Sequence, residues 1–146
     1  MSGASDSSRC DEGFAVPRCD EGNPLAADRV DDALNFADRA LELARERGQR
    51  GYEAWTLRLL GEIAARPGSS NGEVAEGHYR LAALLADQLG MRPLLARCHL
   101  DLGALWARLG KRRDAEDHLT TAMVMCREMN MVVWVEHAEA EARRLA

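Results

Sequence analysis

Small and apolar residues recur along this chain at helical spacing, and the same pattern returns at a long interval. Each copy begins at an alanine and continues with residues four, seven and ten positions later; the copies begin at Ala33, Ala75 and Ala115. Residues three or four positions apart lie on one side of an α-helix, so each copy predicts an amphipathic helix. Repetition at an interval of about forty positions indicates stacked helical hairpins.

Residues that favour helix ends follow the same long interval. Gly48, Gly90 and Asn130 are spaced in step with the alanine copies. Glycine and asparagine tolerate the left-handed backbone conformation that ends a helix. A run of Pro, Gly, Ser and Asn over residues 67–72 predicts a loop, and Ser70 with Glu73 is typical of a capping box for the helix that follows. The predicted fold class is all-α, a right-handed superhelical stack of antiparallel helix hairpins with about six helices.

Residues 1–23 differ from the rest because they are rich in Ser, Gly, Asp and Glu and have no apolar period. Such a segment buries too little apolar surface to offset the entropy of ordering it, so a disordered tail is predicted. Arg-Cys-Asp-Glu-Gly occurs twice within it, at residues 9–13 and 18–22. Two cysteines with flanking carboxylates would supply half of a metal site, but their spacing fits none of the common zinc motifs, which favours a chance duplication.

Composition and charge exclude several classes of protein. Hydrophobic residues make up 47% of the chain and charged residues 29%, and the net charge is −5. An acidic balance argues against non-specific nucleic-acid binding, which needs a basic face. The longest apolar runs, 82–86 and 131–135, are far shorter than a membrane-spanning helix, and no secretory signal begins the chain. The expected location is therefore the cytoplasm, with no membrane or nucleic-acid partner and with reduced thiols at Cys98 and Cys126.

Two Leu-Gly pairs carry a resemblance to a known family. Leu60-Gly61 and Leu102-Gly103 are separated by the repeat interval and resemble the tetratricopeptide repeat, in which such a pair marks the contact between the two helices of a hairpin. Glycine has no Cβ, so the neighbouring helix can approach closely. The last predicted helix has Ala142-Arg143 in this slot, and the long charged side chain predicts a capping helix with no further helix packed on it.

The resemblance implies a division of the chain into a tail and one repeat domain. The predicted segments are a disordered tail at 1–23 and a repeat domain at 24–146, which comprises a half repeat at 24–47, full repeats at 51–90 and 92–130, and a capping helix at 131–146.

A second resemblance covers about two thirds of the chain and concerns function. The segments 51–55, 89–93 and 118–122 are similar to the C-terminal repeat region of large bacterial signalling proteins, in which a nucleotide cyclase, protein kinase or AAA-type ATPase module precedes the repeats. The chain has neither a Walker-type phosphate loop nor a kinase catalytic loop. The resemblance therefore implies a regulatory or sensing role, with no enzymatic activity and no cofactor.

The histidines have simpler interpretations than catalysis or metal binding. His78 and His118 occupy equivalent slots of successive copies, which favours two solvent-side residues inherited by duplication over a shared metal site. His99 falls on the inner stripe of its helix and is predicted to be a hydrogen-bonded core residue. Cys98 and His99 are adjacent, so on a helix they point about 100° apart and cannot form a nucleophile–base pair.

The first helix of each hairpin lines the concave face in tetratricopeptide stacks, and this implies a binding groove. Its basic and apolar composition suits an acidic peptide or a C-terminal carboxylate, because arginine offers forked donors and apolar side chains act as anchors. The alternative is that these arginines pair with nearby glutamates and are ordinary surface charge. The predicted groove residues are Trp55, Arg58, Glu62, Arg66, Arg97, Leu100, Arg108, His137 and Arg144.

The predicted function is a non-enzymatic protein–protein interaction module. A second hypothesis is self-association into a homodimer through residues 24–47, because that helix lacks a hairpin partner and part of its Ala33, Ala37 and Leu41 face is expected to be bare. A small-molecule sensor is a third hypothesis, and it would need convergent polar groups in a deep pocket.

Overall fold

The chain is all-α in the residues that the computed structural model describes, which are 24–66 and 71–145. Six helices and no strand lie in these ranges, as the sequence predicts. The predicted tail at 1–23 with its duplicated cysteine motif, and Ser70 of the predicted capping box, lie outside the described residues. The helices are α1 (Pro24–Glu46), α2 (Arg50–Ala64), α3 (Gly72–Gln88), α4 (Arg92–Arg108), α5 (Arg112–Glu128) and α6 (Val132–Leu145).

The chain divides into two compact units. The first is Met1–Asp32, whose described part is the opening of helix α1. The second is Ala33–Ala146, and it contains the remainder of α1 and the five helices that follow. The packing described below belongs to this second unit. None of the described helices is long and apolar enough to cross a membrane.

Left-handed residues follow helices α1, α3, α4 and α5, as the sequence predicts for Gly48, Gly90 and Asn130. The φ angles are +67° at Gly48, +71° at Gly90, +81° at Gly110 and +58° at Asn130. After each of these residues the next backbone N–H donates back across the turn; the N–H of Met91, for example, donates to the carbonyl of Ala86 at 2.8 Å. This pattern caps carbonyls that the helix end leaves without a partner. Short connections of this kind reverse the chain, so consecutive helices pack as hairpins.

Close packing within the hairpins explains the two Leu-Gly pairs. A Cβ atom placed on Gly61 would lie 2.7 Å from a ring carbon of Tyr79, and one placed on Gly103 would lie 2.7 Å from Cγ of Leu119. Real Cβ atoms do not make contacts this short, so α2 and α4 approach α3 and α5 only because glycine stands at these positions.

The repeated alanine pattern is buried in two of its three copies. In α3, Ala75 and Ala82 have no exposed surface, and the corresponding residues of α5, Ala115 and Ala122, are also fully buried. In α1 the expectation is wrong in part, since Ala40 is exposed.

The buried stripe of α1 is instead Ala37, Leu41 and Ala44, which turns the helix toward α2. The predicted bare face of Ala33, Ala37 and Leu41 is therefore corrected: Ala37 and Leu41 belong to the core cluster that also contains Leu57 and Leu85. The physical reason is that α1 packs on both α2 and α3, whose Leu57 and Leu85 belong to this cluster.

Candidate binding face

The predicted groove residues lie on alternate helices that contact one another. Helix α2 touches α4, and α4 touches α6, so the three helices form one continuous face, called here the α2–α4–α6 face. The predicted residues are distributed as Trp55, Arg58 and Glu62 on α2, Arg66 just after it, Arg97, Leu100 and Arg108 on α4, and His137 and Arg144 on α6.

Three of these residues occupy equivalent slots of successive repeats. Trp55, Arg97 and His137 follow one another at the same interval as the alanine copies and the helix ends. Equivalent slots lie at equivalent heights on the three helices, so these residues form a row that crosses the face. Trp55 is 43% exposed, and His137 is exposed as well.

Arg58 connects α2 to α4 through a buried ion pair. The residue is only 6% exposed; its Nε donates to Oδ2 of Asp101 at 2.8 Å, and its Nη2 donates to Oε2 of Glu62 at 2.6 Å. Burial by itself would lower the pKa of Arg58, but the carboxylates of Asp101 and Glu62 outweigh it and raise that pKa above its ordinary value. The guanidinium is thus charged, and both neighbouring acids neutralise it.

Asp101 is a member of this network that the sequence analysis missed. Burial raises the pKa of its carboxyl to about 6, although Arg58 and Arg97 act in the opposite direction. One signal in the sequence could have identified Asp101. It is a charged residue directly after Leu100, which is predicted to lie on the inner face of the repeat. Its partner on another helix could not be inferred from spacing within one helix.

Arg97 is held by an aromatic ring instead of a carboxylate. Its Cζ lies 3.7 Å from the ring centroid of Trp134 on α6, which is a close cation–π contact. Its Nε is buried and has no hydrogen-bond partner in the described part of the chain. Burial, followed by the nearby charge of Arg58, lowers the pKa of Arg97. Arg97 therefore contributes a flat cation whose Nε donor is unused but covered, so a ligand reaches that donor only by displacing what covers it.

The other predicted residues are only partly available to a ligand. Arg108 donates to the backbone carbonyl of Ala65 at the end of α2, and Arg144 pairs with Glu141 at 3.1 Å. Leu100 is 5% exposed and belongs to the core cluster of Leu119, Ala122 and Ala138. Leu100 is therefore not an open apolar anchor, because its side of α4 faces the next hairpin. Arg66 is half-buried just beyond α2.

The pairing alternative describes two of the arginines. Arg58 and Arg144 pair with acidic side chains, although Arg58 is buried and is therefore not surface charge.

Arg97 stacks on Trp134, and the carboxylates of Asp101 and Glu62 are near enough to act on its pKa against the effect of burial. The aromatic partner was missed because Trp134 and Arg97 are on different helices. His137 continues the aromatic surface, its ring centroid lying 5.0 Å from that of Trp134.

The histidine predictions need one correction. His118 is half-buried and not on the solvent side; its Nδ1 lies 2.9 Å from Nδ1 of His99, and the two rings stack with centroids 5.1 Å apart. One nitrogen must donate and the other accept, so the pair shares a single proton at this contact. Trp106 packs edge-on against His118 at 4.8 Å. The equivalent His78 is also half-buried.

The pair has the electrostatics of two neutral imidazoles. Burial lowers the pKa of His99 and of His118; the neighbouring His118 adds to the effect for His99, and Arg80 adds to it for His118. No group of three or more His, Cys, Asp or Glu residues that could hold a metal ion occurs among the described residues.

The two described cysteines are free and buried. Burial raises the pKa of the Cys98 thiol to about 12 and also raises the pKa of Cys126. A thiol with a raised pKa carries little thiolate at neutral pH, so these residues have the properties of core residues and not of nucleophiles.

Comparison with known proteins adds no family to this description. No family model matches the chain, and no curated protein matches it significantly.

Proposed function

We propose that this protein is a tetratricopeptide-type interaction module that binds an acidic peptide segment on the α2–α4–α6 face. The support is the repeat pattern, the hairpin packing around Gly61 and Gly103, and a face built from alternate helices. The observation that carries the proposal is Arg97, whose guanidinium stacks on Trp134 and retains a buried Nε donor without a partner among the described residues.

The chemistry of the Arg97 site suits a carboxylate. A buried donor without a partner costs free energy, and a carboxylate that reaches it would remove that cost. Arginine held flat by an aromatic ring loses little freedom on binding and offers a fixed fork of N–H groups. Arg58 cannot perform the same task, because Asp101 and Glu62 already neutralise it. Its role in this proposal is to hold α2 against α4.

The row of Trp55, Arg97 and His137 predicts the order in which a bound peptide would contact the face. Trp55 offers an exposed aromatic surface at one end, Arg97 a cation in the middle, and His137 a second aromatic ring at the other end. A matching peptide carries an apolar side chain, then a carboxylate, then a further side chain for the His137 end. Buried aromatic and arginine anchors of this kind supply most of the affinity in protein interfaces.

The proposed role is binding and regulation, not catalysis. The resemblance to repeat regions of bacterial signalling proteins supports a regulatory part, and the buried free thiols support a cytoplasmic location. Within the described residues the inner histidines bond to each other, and the thiols are held in their protonated form by burial.

A binding experiment with charge reversal tests the proposal. An array of acidic peptides is screened by fluorescence polarisation, and each hit is compared with its amidated form to separate a side-chain carboxylate from a C-terminal one. Arg97→Glu should weaken binding by about tenfold or more, since it removes a charge-assisted contact and adds repulsion. Arg112→Glu makes the same charge change on α5, away from the face, and is the matched control. Equal affinity for the wild-type chain and Arg97→Glu, or an equal loss in the control, would refute the proposed face.

A further inference from the structure

Large apolar side chains are exposed together at the N-terminal end of the second unit. Phe36 of α1 is 75% exposed and Leu43 is 46% exposed; on α2, Tyr52 is 67% and Leu59 44% exposed. Ala40 lies exposed between Phe36 and Leu43 on the same side of α1. These five residues are called here the apolar end face.

Leu43 and Tyr52 of this face stand at positions that are core in the next repeat, whereas Phe36 and Leu59 correspond to His78 and Asp101. One repeat interval further along, Leu43 corresponds to Leu85, which is 8% exposed, and Tyr52 corresponds to Leu94, which is 1% exposed. Leu85 and Leu94 belong to one core cluster, where the hairpin before them covers them. At Leu43 and Tyr52 the apolar end face thus continues an interface that the chain already makes between its own hairpins, but without a cover among the described residues.

The opposite end of the unit does not offer a matching cover. The outer side of α6, which corresponds to the α5-facing side of α4, carries Glu136 and Arg143 beside the exposed Val132 and Val133. Glu139 accepts a hydrogen bond from Arg127 of α5. A second copy docked head to tail would bury these charged groups against apolar side chains, which is strongly unfavourable. The charges at this end therefore disfavour an open chain of copies and favour a closed, two-fold arrangement.

The charges beside the apolar end face are self-complementary. When two α1 helices pack antiparallel with Ala40 of one copy opposite Leu43 of the other, Arg39 of each copy lies beside Glu46 of the other. Both residues are exposed on α1. The two-fold axis generates each Arg39–Glu46 pair twice, and it also brings the two Leu43 side chains together. Exposed charge pairs contribute little affinity, but they determine which register is preferred.

We propose that two copies of this protein associate through the apolar end face as a two-fold dimer with antiparallel α1 helices. The large apolar side chains provide the driving force, since an exposed apolar patch is unfavourable in water. On α2 the two faces adjoin, because Tyr52 and Leu59 lie three and four positions from Trp55. The α1 contact of the dimer uses no residue of the α2–α4–α6 face.

Sedimentation of the full chain over a range of concentrations is the first test. The wild-type chain should convert from monomer to dimer as its concentration rises, and Leu43→Glu should weaken the association by at least about tenfold, because it places a charge in the contact. Leu84→Glu, at a side chain that is 56% exposed on α3, is the matched control and should leave the dimer unchanged. A wild-type chain that stays monomeric, or a dimer that survives Leu43→Glu, would overturn the proposal.

A charge-exchange experiment tests the register without depending on an apolar substitution. Arg39→Glu and Glu46→Arg should each weaken the dimer, whereas a mixture of the two variants should form a heterodimer in which the charges of the facing residues are again opposite. Circular dichroism verifies that each variant is folded. Loss of association that mixing does not restore contradicts the antiparallel register, and association with an unrelated protein in place of self-association contradicts the dimer.

Discussion

The first copy of the repeated alanine pattern and the later two copies have similar residues and different surroundings. Ala82 and Ala122 are fully buried in α3 and α5, whereas Ala40 at the equivalent position of α1 is exposed. The next position of the pattern shows the same difference between copies, since Leu85 is 8% exposed in α3 and Leu43 is 46% exposed in α1. A repeat position is therefore buried by the hairpin beside it and not by its own side chain.

The largest effect is expected where a charge is placed at this alanine slot. Ala82→Glu should destabilise the protein by roughly 4 kcal/mol or prevent folding, because it buries an unpaired carboxylate. Ala40→Glu makes the same change in the first copy and should cost less than about 0.5 kcal/mol. Urea titration at a concentration below that of self-association measures both. Similar losses in the two variants would show that the first copy is as well covered as the second.

The next largest difference in the free energy of unfolding is expected between leucine-to-alanine substitutions in the core and at the surface. Leu102 is 2% exposed in α4, and Leu102→Ala should lower the free energy of unfolding by roughly 2 to 5 kcal/mol, because the cavity adds to the lost burial. Leu43→Ala is the matched control in the first copy, with a loss below about 1 kcal/mol. Denaturant midpoints at equal slope measure the difference, and a loss below about half a kcal/mol for Leu102→Ala would place that residue outside the core.

Glycine-to-alanine substitutions should differ in sign between a packed and an open position. A Cβ on Gly103 would lie 2.7 Å from Leu119 and 3.3 Å from the carbonyl oxygen of Ala115, whereas a Cβ on Gly77 meets nothing within 4 Å. Gly103→Ala should therefore cost about 1 to 3 kcal/mol through overpacking. Gly77→Ala should stabilise α3 by about 0.5 to 1 kcal/mol, because alanine favours the helix. Thermal unfolding of both variants tests this, and stabilisation by Gly103→Ala would contradict the close approach of α4 and α5.

The smallest expected effect is a pH dependence of stability at a repeat position that holds phenylalanine in the first copy and histidine in the later two. Phe36, His78 and His118 are equivalent by the repeat interval, and only the histidines are half-buried. Burial lowers the pKa of His118 below its usual 6.5. A lowered folded-state pKa means that its stability contribution is complete above pH 6.5 and is lost as the pH falls through the folded pKa.

Urea titrations at two pH values test this effect. The stability of the wild-type chain relative to His118→Asn should decrease between about pH 7.5 and about pH 5.5. Asp101 contributes the opposite slope, because its pKa is raised to about 6: its contribution is complete below the usual carboxyl pKa and is lost as the pH rises through 6. Because both the wild-type chain and His118→Asn contain Asp101, its contribution cancels in the difference between their stabilities. An unchanged difference between the two proteins at both pH values would contradict the buried state of His118.

The sequence predicts which helices form the candidate face, but not the pairings within it. Trp55, Arg97 and His137 are predicted from the helical phase that lines the concave face of tetratricopeptide stacks. Asp101 and Trp134, the partners of Arg58 and Arg97, were missed because each pairing joins two helices. Leu100 was assigned to the open face although it is a core residue, since the phase of a single helix cannot distinguish a groove from the contact with the next hairpin.

The sequence by itself determined the helices, their ends and their long interval, because these depend on local periodicity and on residues such as Gly48 and Gly90 that tolerate left-handed backbone. It also determined where two helices approach closely, because only glycine permits that contact. Only the tertiary structure decided which copies are buried, which arginines are neutralised, and that the end of the unit containing Phe36 is apolar. Burial and charge pairing depend on the distance between side chains of different helices, and that distance is not encoded within any one helix.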